Sequence, residues 1–329
     1  MIIQKYRDIL KAKMDAEEEE TMTQVVSVKK KKLFDRIIGC WQLYILVLPA
    51  FLYVIIFHYL PMYGIVIAFQ NYNPASGFFS NWVGFKHFIT FFKSVQFWKL
   101  IRNTLLINVY GLVFTFPLPI LLALLLNEAR FEWFKKTVQN ITYIPLFVST
   151  VVLVGMLNCF LSPSNGIINT FIEKLGGTPI DFMGSEAWFR SLYIISGTWQ
   201  NCGNSAIIFI AALSGIDLSL HEAAQIDGAN RLQRIIHVNI PGIMPTIVMI
   251  LILSCGNMLS VGFDKVYLMQ NTMNLSVSEV ISTYTYKVGL LNAKYSYSTA
   301  IGLFNSVINF LILFGVDRFA HYTSEVSLF

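Results

Sequence analysis

Apolar residues in this chain gather into long runs and do not alternate with polar ones. Six runs stand out: Trp41–Leu60, Thr104–Leu126, Ile141–Leu161, Leu192–Leu213, Gly242–Val261 and Tyr297–Val316. Each approaches the roughly 20 residues a helix needs to cross the hydrocarbon core of a bilayer. The first is interrupted only by Gln42, Pro49 and His58. Pro117, Pro119 and Pro145 lie in or beside runs, where neighbouring helices can satisfy a kinked backbone. The pattern predicts an all-α fold, a polytopic membrane helical bundle of about six transmembrane helices.

Composition agrees. Hydrophobic residues make up 55% of the 329 positions and charged residues 13%, with a mean hydropathy of +0.58. A soluble domain carries about a quarter charged residues. The net charge of +5 owes much to the run Lys29–Lys32, just before the first apolar stretch. Without interleaved aromatics this run reads as a topology signal and not as a nucleic-acid surface. The four cysteines (Cys40, Cys159, Cys202, Cys255) have no metal-site spacing, and the five histidines form no cluster.

Lysine and arginine also set an orientation. With the N-terminus inside, inside segments hold fifteen of them and outside segments nine. Both termini are therefore expected in the cytoplasm. The expected organisation is a polar N-terminal tail over 1–40, with no secretory signal before the first span, a membrane domain over 41–316, and a short tail over 317–329.

The loop between the fourth and fifth runs, within 217–241, is unusually ordered in its chemistry. Ser219 and Glu222 have the S-x-x-E spacing of a capping box. Ala223, Ala224 and Ile226 continue a helix, and Asp227-Gly228 permits a sharp turn. Leu232, Ile235, Ile236 and Asn239 are spaced for one face of a second short helix, and Pro241 marks the hand-over to the fifth span. The expected product is a helix–turn–helix elbow at the cytoplasmic surface.

This segment resembles the EAA motif of ABC importer permeases: Glu-Ala-Ala, three residues, Gly, nine residues, Ile-x-Leu-Pro. The chain has Glu222-Ala223-Ala224, then Asp227-Gly228-Ala229, then Val238-Asn239-Ile240-Pro241. Val238 for Ile and Ile240 for Leu are the departures. From about residue 40 onward, YGIVIAFQNYNP, WVGFKHF, FDKVYLMQN, SVSEVISTYTYKVGL and YSYSTAIGLFNSVINF are similar to carbohydrate permeases of the polysaccharide or lipoprotein-type sugar branch. The resemblance implies a type I importer in a bacterial cytoplasmic membrane. Its parts are a second permease subunit, two ATPase subunits and an extracytoplasmic solute-binding protein, and its cargo is an oligosaccharide. It also implies that the EAA elbow inserts into the ATPase. A permease of the same class for a non-sugar solute and an ion-coupled secondary transporter are the alternatives.

The chain has no GxxxxGK[ST] loop, so ATP and magnesium belong to the partner ATPase and no cofactor is expected here. No nucleophile–base pair or metal cluster suggests catalysis. Asp and Glu are nearly absent from the runs, against an intramembrane enzyme. Polar residues within spans are costly unless they face a cavity or another helix. The candidates for a sugar path are Trp199, Gln200, Asn201 and Asn204, then Ser254 and Asn257, then Asn305 and Asn309. An indole can stack on a pyranose ring and amides can bond its hydroxyls, although helix–helix hydrogen bonds use the same groups. Gly302, on the stripe of Asn305 and Asn309, suggests close helix packing. Asp264 and Lys265 read as charges at a span end, meeting water.

Overall fold

A computed structural model describes residues 41–77 and 79–324. The N-terminal tail, its lysine run and Cys40 lie outside the described residues. The described residues are helical without a named strand; two isolated bridges, Gln70 with Trp82 and Asn73 with Gly77, are the only sheet-like pairings among them.

The chain divides at Tyr63 into two compact units. In the first, helix α1 (Trp41–Val54) continues through a π turn over Ile55–Tyr59 and a last turn over Leu60–Met62. It buries none of its side chains, so its apolar surface is entirely outward, as lipid or another apolar helix requires. Pro49 sits inside it.

The second unit starts at Gly64, inside a 3₁₀ segment, Tyr63–Phe69. It continues with α2 (Lys86–Phe92), α3 (Gln96–Thr115), α4 (Pro117–Asn127), α5 (Glu132–Tyr143), α6 (Thr150–Phe160), α7 (Ile167–Lys174) and α8 (Glu186–Ser214). Then come α9 (Leu218–Ile226), α10 (Arg231–Arg234), α11 (Ile240–Cys255), α12 (Phe263–Met269), α13 (Leu275–Ser278), α14 (Ile281–Tyr286) and α15 (Tyr295–Ser324). The long helix α8 is the hub: it packs against α3, α4, α5, α11 and α13.

Four helical stretches are long and apolar enough to cross a membrane: Trp41–Phe69, Gln96–Asn127, Arg231–Cys255 and Tyr295–Tyr322. Two bent pairs bring the total to six, matching the six runs. The third run is not one straight helix as its apolar length suggests. It breaks between Phe147 and Thr150, and the two arms meet at 98°. Pro145 lies in a 3₁₀ turn before the break, and Ser149 caps α6 by accepting from the Val152 N–H at 3.3 Å. The carbonyl of Val148, freed by the break, accepts from Gln200 Nε2 at 2.7 Å. A Cβ at Gly203 would overlap the Thr142 carbonyl, so that glycine lets α5 lie directly on α8.

The fifth run also shifts. Its helix starts at Arg231 and ends at Cys255, leaving Asn257–Val261 outside it. The sixth helix runs on through the expected C-terminal tail to Ser324, the last described residue. Gly302 does not mark a close approach: a Cβ there meets open space.

Two apolar clusters bracket α8. Ala206, Phe209 and Leu213 pack with Ala123, Leu124 and Ile243 toward its C-terminal end. Phe189 packs with Ile107, Val154, Val261, Val266, Met269 and Val280 toward its N-terminal end. The two ends are roughly 40 Å apart at 1.5 Å per residue, so α8 connects opposite ends of the bundle.

A candidate coupling elbow and a polar-lined cavity

The elbow follows the end of α8 after a bend of 71°. The capping residue is Asp217, not Ser219: its carboxylate accepts from the Ser219 N–H at 2.9 Å, and Ser219 is already inside α9. That hydrogen bond holds the Asp217 carboxyl below the usual carboxylate range. An aspartate two residues earlier offers the same acceptor, and the first free N–H groups face it.

The far end of α9 closes with a Schellman motif. Ala229 N–H donates to the Ala224 carbonyl at 2.9 Å, and Gly228 N–H donates to the Gln225 carbonyl at 3.0 Å. Gly228 has φ +78°, a left-handed conformation that side chains with a Cβ resist. The capping box sits at the next helix. Asn230 Oδ1 accepts from Gln233 N–H at 2.9 Å, and Gln233 Oε1 accepts from Asn230 N–H at 2.8 Å.

The second arm is not a separate short helix. From Arg231 a helix runs into α11, interrupted only by a π turn over Ile235–Asn239. Pro241 lacks the N–H that would bond the His237 carbonyl, and the wider turn just before it absorbs the mismatch. The four residues expected on one face separate. Leu232 and Ile236 are exposed, Ile235 joins the apolar cluster beside α4, and Asn239 is fully buried.

Asn239 shows what roots the elbow. Its Nδ2 donates to Glu128 Oε1 at 3.3 Å, while Glu128 Oε2 lies 3.7 Å from Arg234 Nη2. Glu128 follows α4, so one carboxylate clamps the elbow's second arm to the end of the second span. The sequence reading did not single out Glu128; a lone acid in a short connection carries no local pattern. Glu128→Ala removes the partner of a half-buried guanidinium and of a buried amide together. The expected cost is about 1–3 kcal/mol, read as a fall of a few degrees in the Tm of the purified transporter. Glu128→Gln keeps an acceptor for Asn239 and should lose less.

In contrast to its root, α9 buries nothing. Glu222 and Ala223 are exposed, as are the apolar Leu218, Leu220 and Ile226, the last at 87%. Asp227 is exposed, Val238 and Ile240 are half-buried, and Ala224 and Ala229 line a hollow at the inner angle with Gly228 and Val238.

The polar span residues fall into two groups. A cavity of about 390 Å³ opens among α3, α4, α8 and α11. Asn201 and Ser254 line it; Trp199, Gln200, Asn204 and Asn257 do not. The stripe of α8 that faces the cavity is Tyr193, Gly197, Asn201, Ser205, Ile208, with helical spacing. Trp199 is half-exposed off that stripe, Gln200 holds the broken third span, and Asn204 is exposed. Asn257 donates to the Leu253 carbonyl. Asn309 caps the end of the fifth span: its Oδ1 accepts from Leu259 N–H at 2.9 Å and its Nδ2 donates to Ser260 Oγ at 2.9 Å. Asn305 Oδ1 is buried without a hydrogen-bond partner among the described residues.

Three small polar cavity residues are not among the sequence candidates: Ser205 on α8, and Asn108 and Thr115 on α3. Asn108 and Thr115 lie seven apart, two turns along one face of an otherwise apolar run, and that spacing is the available signal. Asn108 Nδ2 donates to the Met258 carbonyl at 2.8 Å, and Thr115 hydrogen-bonds Thr198 at 2.8 Å. No side chain on the cavity wall bears a formal charge. No group of His, Cys, Asp or Glu among the described residues could hold a metal ion.

Lys265 is not at a water-facing span end. It is 9% exposed, its Nζ donates to the Tyr193 carbonyl at 2.8 Å and sits 4.7 Å from the centre of the Tyr193 ring. Asp264 beside it is exposed. Burial pulls the Lys265 ammonium down to about 8.

Comparison with known proteins matches this architecture. Residues 115–323 fit the family model described as binding-protein-dependent transport system inner membrane component. The polygalacturonan/rhamnogalacturonan transport system permease protein YteP of Bacillus subtilis is 43% identical over 92% of this chain and 94% of its own length. Protein LplB of the same organism is 43% identical over 87% of this chain and 91% of its own. A subunit of the crystal structure of a bacterial alginate ABC transporter in complex with an alginate pentasaccharide-bound periplasmic protein superposes with a TM-score of 0.84. It is 37% identical, with 91% of this chain and all of that one covered. The chain belongs to the family of binding-protein-dependent transport system inner membrane components, as a multi-pass membrane permease.

Proposed function

We propose that this permease is one of two membrane subunits of an ATP-driven importer for carboxylate-bearing oligosaccharides. It receives its cargo from an extracytoplasmic binding protein and is coupled to a separate ATPase through the elbow 217–241. The observation that carries the reading is the elbow itself. Its first helix is capped at both ends, rooted through Glu128, Arg234 and Asn239, and entirely unburied, with apolar side chains facing outward. A rigid lever with an exposed apolar face has the form of a surface made for a partner. The carbohydrate cargo is supported by the relatives. YteP is named for polygalacturonan and rhamnogalacturonan, and the matched structures for the acidic polysaccharide alginate.

In this reading both termini are cytoplasmic, the elbow faces the cytoplasm, and the segments 61–103, 162–190 and 263–296 face outward. ATP and magnesium bind to the partner ATPase subunits. ATP binding closes the ATPase pair and pulls on α9. The pull passes along α10 into α11 and through Glu128 into α4, two helices that wall the cavity. The cavity then opens outward, where Asn108, Thr115, Asn201, Ser205 and Ser254 offer hydrogen bonds to sugar hydroxyls. Hydrolysis resets the lever.

The test is uptake by proteoliposomes that hold this chain with its second permease subunit, ATPase and binding protein, loaded with a short oligogalacturonate. Uptake that needs internal ATP and the binding protein, and survives collapse of ion gradients, is expected. Uptake that follows an ion gradient without ATP would defeat the reading.

A further inference from the structure

The end of the bundle remote from the elbow contains a cation without an anion. An ammonium has three N–H donors, and Lys265 has the Tyr193 carbonyl as its one acceptor among the described residues. It forms no ion pair with a carboxylate among them. The carbonyl and the Tyr193 ring face offset part of the cost of burial. With its pKa near 8 the group still carries its proton at neutral pH, in surroundings that penalise the charge. A buried cation is ordinarily paired, and the missing component here is an anion.

The cavity lies directly beside this ammonium. Tyr193 and Gly197 are both on the cavity wall. A Cβ on Gly197 would stand 3.0 Å from Lys265 Nζ. Gly197 therefore puts no side chain against the ammonium at this point of the wall, while a larger residue would stand directly on it. The Tyr193 hydroxyl lies against Gly262 just before α12, where an added Cβ would stand 3.5 Å from it. The wall itself holds no formal charge, acidic or basic, so a cation held just behind it acts on the cavity without an opposing charge on the wall.

We propose that Lys265 is the charge-selecting residue of the cavity: its ammonium, held just behind Gly197, favours a carboxylate-bearing sugar unit over an uncharged one. This rests on the reading of an acidic-oligosaccharide importer and adds a residue that reads the acid. Entry of a carboxylate also offsets the desolvation of the ammonium, so the preference arises in the permease as well as in the binding protein.

The experiment compares uptake of a short oligogalacturonate with that of its fully methyl-esterified form, which has the same length and hydroxyls but no charge. Both are measured in the complete transporter carrying wild-type, Lys265→Met or Lys265→Arg chains. The binding protein is the same throughout, so its own preference cancels when variants are compared. Lys265→Met is expected to lower kcat/KM for the acid about tenfold or more and to leave the ester within about twofold, while Lys265→Arg keeps most of the preference. If Met lowers both sugars alike, or neither, Lys265 does not select charge and the proposal falls. Should Lys265→Met fail to assemble, Gly197→Ala carries the same test, because it leaves the ammonium in place behind an added methyl group. A several-fold loss of acid preference supports the proposal, and an unchanged ratio overturns it. A wild-type transporter that moves the ester as well as the acid overturns charge selection while leaving the importer intact. One that moves neither sugar defeats the substrate reading and this proposal with it.

Discussion

A Gly228→Val chain reaches the membrane and assembles its bundle, but uptake falls about tenfold or more. Gly228 sits at φ +78°, closing the Schellman motif that ends α9. A left-handed backbone costs an ordinary residue about 1–2 kcal/mol, and a β-branched one more. Valine relieves that strain by abandoning the turn, which frees the carbonyls of Ala224 and Gln225 and changes the angle between α9 and α10. Space is not the limitation, since a Cβ at this position meets nothing within 4 Å. The effect is therefore conformational, and Gly228→Asn, which tolerates the left-handed region, should recover much of the uptake. Uptake and ATPase rate measured together separate the outcomes: coupling is lost if ATP hydrolysis continues without transport. Equal uptake by the valine and glycine chains would remove the turn from the mechanism.

The second large effect comes from Ile226→Asp, with Glu222→Lys beside it. Ile226 is 87% exposed and its helix buries nothing, so the substitution should leave the chain's own stability within about 0.5 kcal/mol. In the proposed assembly the same position meets the ATPase, and there a carboxylate driven into an apolar contact would leave a desolvated, unpaired charge. Loss of ATPase co-purification by about tenfold or more is expected, with an unchanged Tm for the permease alone. Glu222→Lys reverses an exposed charge on the same helix and should weaken association in a salt-dependent way. A lowered Tm in the isolated chain would instead make Ile226 a packing residue.

The elbow was legible in the sequence because its chemistry is local. Gly228 marks its turn with a single residue, and Pro241 fixes where the fifth span takes over. Its starting cap was read two residues late, since Asp217 and Ser219 offer the same kind of acceptor and only the backbone decides between them. The six apolar runs gave the spans, but apolar length is blind to direction. The third run therefore read as one helix although Pro145 and Ser149 bend it by 98°.

The cavity was only half legible. Asn201 and Ser254 were found because polar groups in spans stand out, yet Trp199 and Gln200 stand out equally and serve other faces of α8. Which face looks inward depends on how α3, α4 and α11 pack around α8. Lys265 was read as a charge meeting water because lysines at span ends usually do. Its burial is created by Tyr193, 72 positions earlier in the chain, and no local pattern reports that contact.

The most direct measurement is site-specific photo-crosslinking in the complete, membrane-embedded transporter. One photoreactive residue replaces Ile226 on the elbow, and another replaces Asn292, an exposed residue before α15 at the opposite end. The expected result is capture of the ATPase subunit from position 226 and never from 292, with the yield at 226 changing when ATP is added. Capture of the ATPase from 292, or of the binding protein from 226, would contradict the role assigned to the elbow.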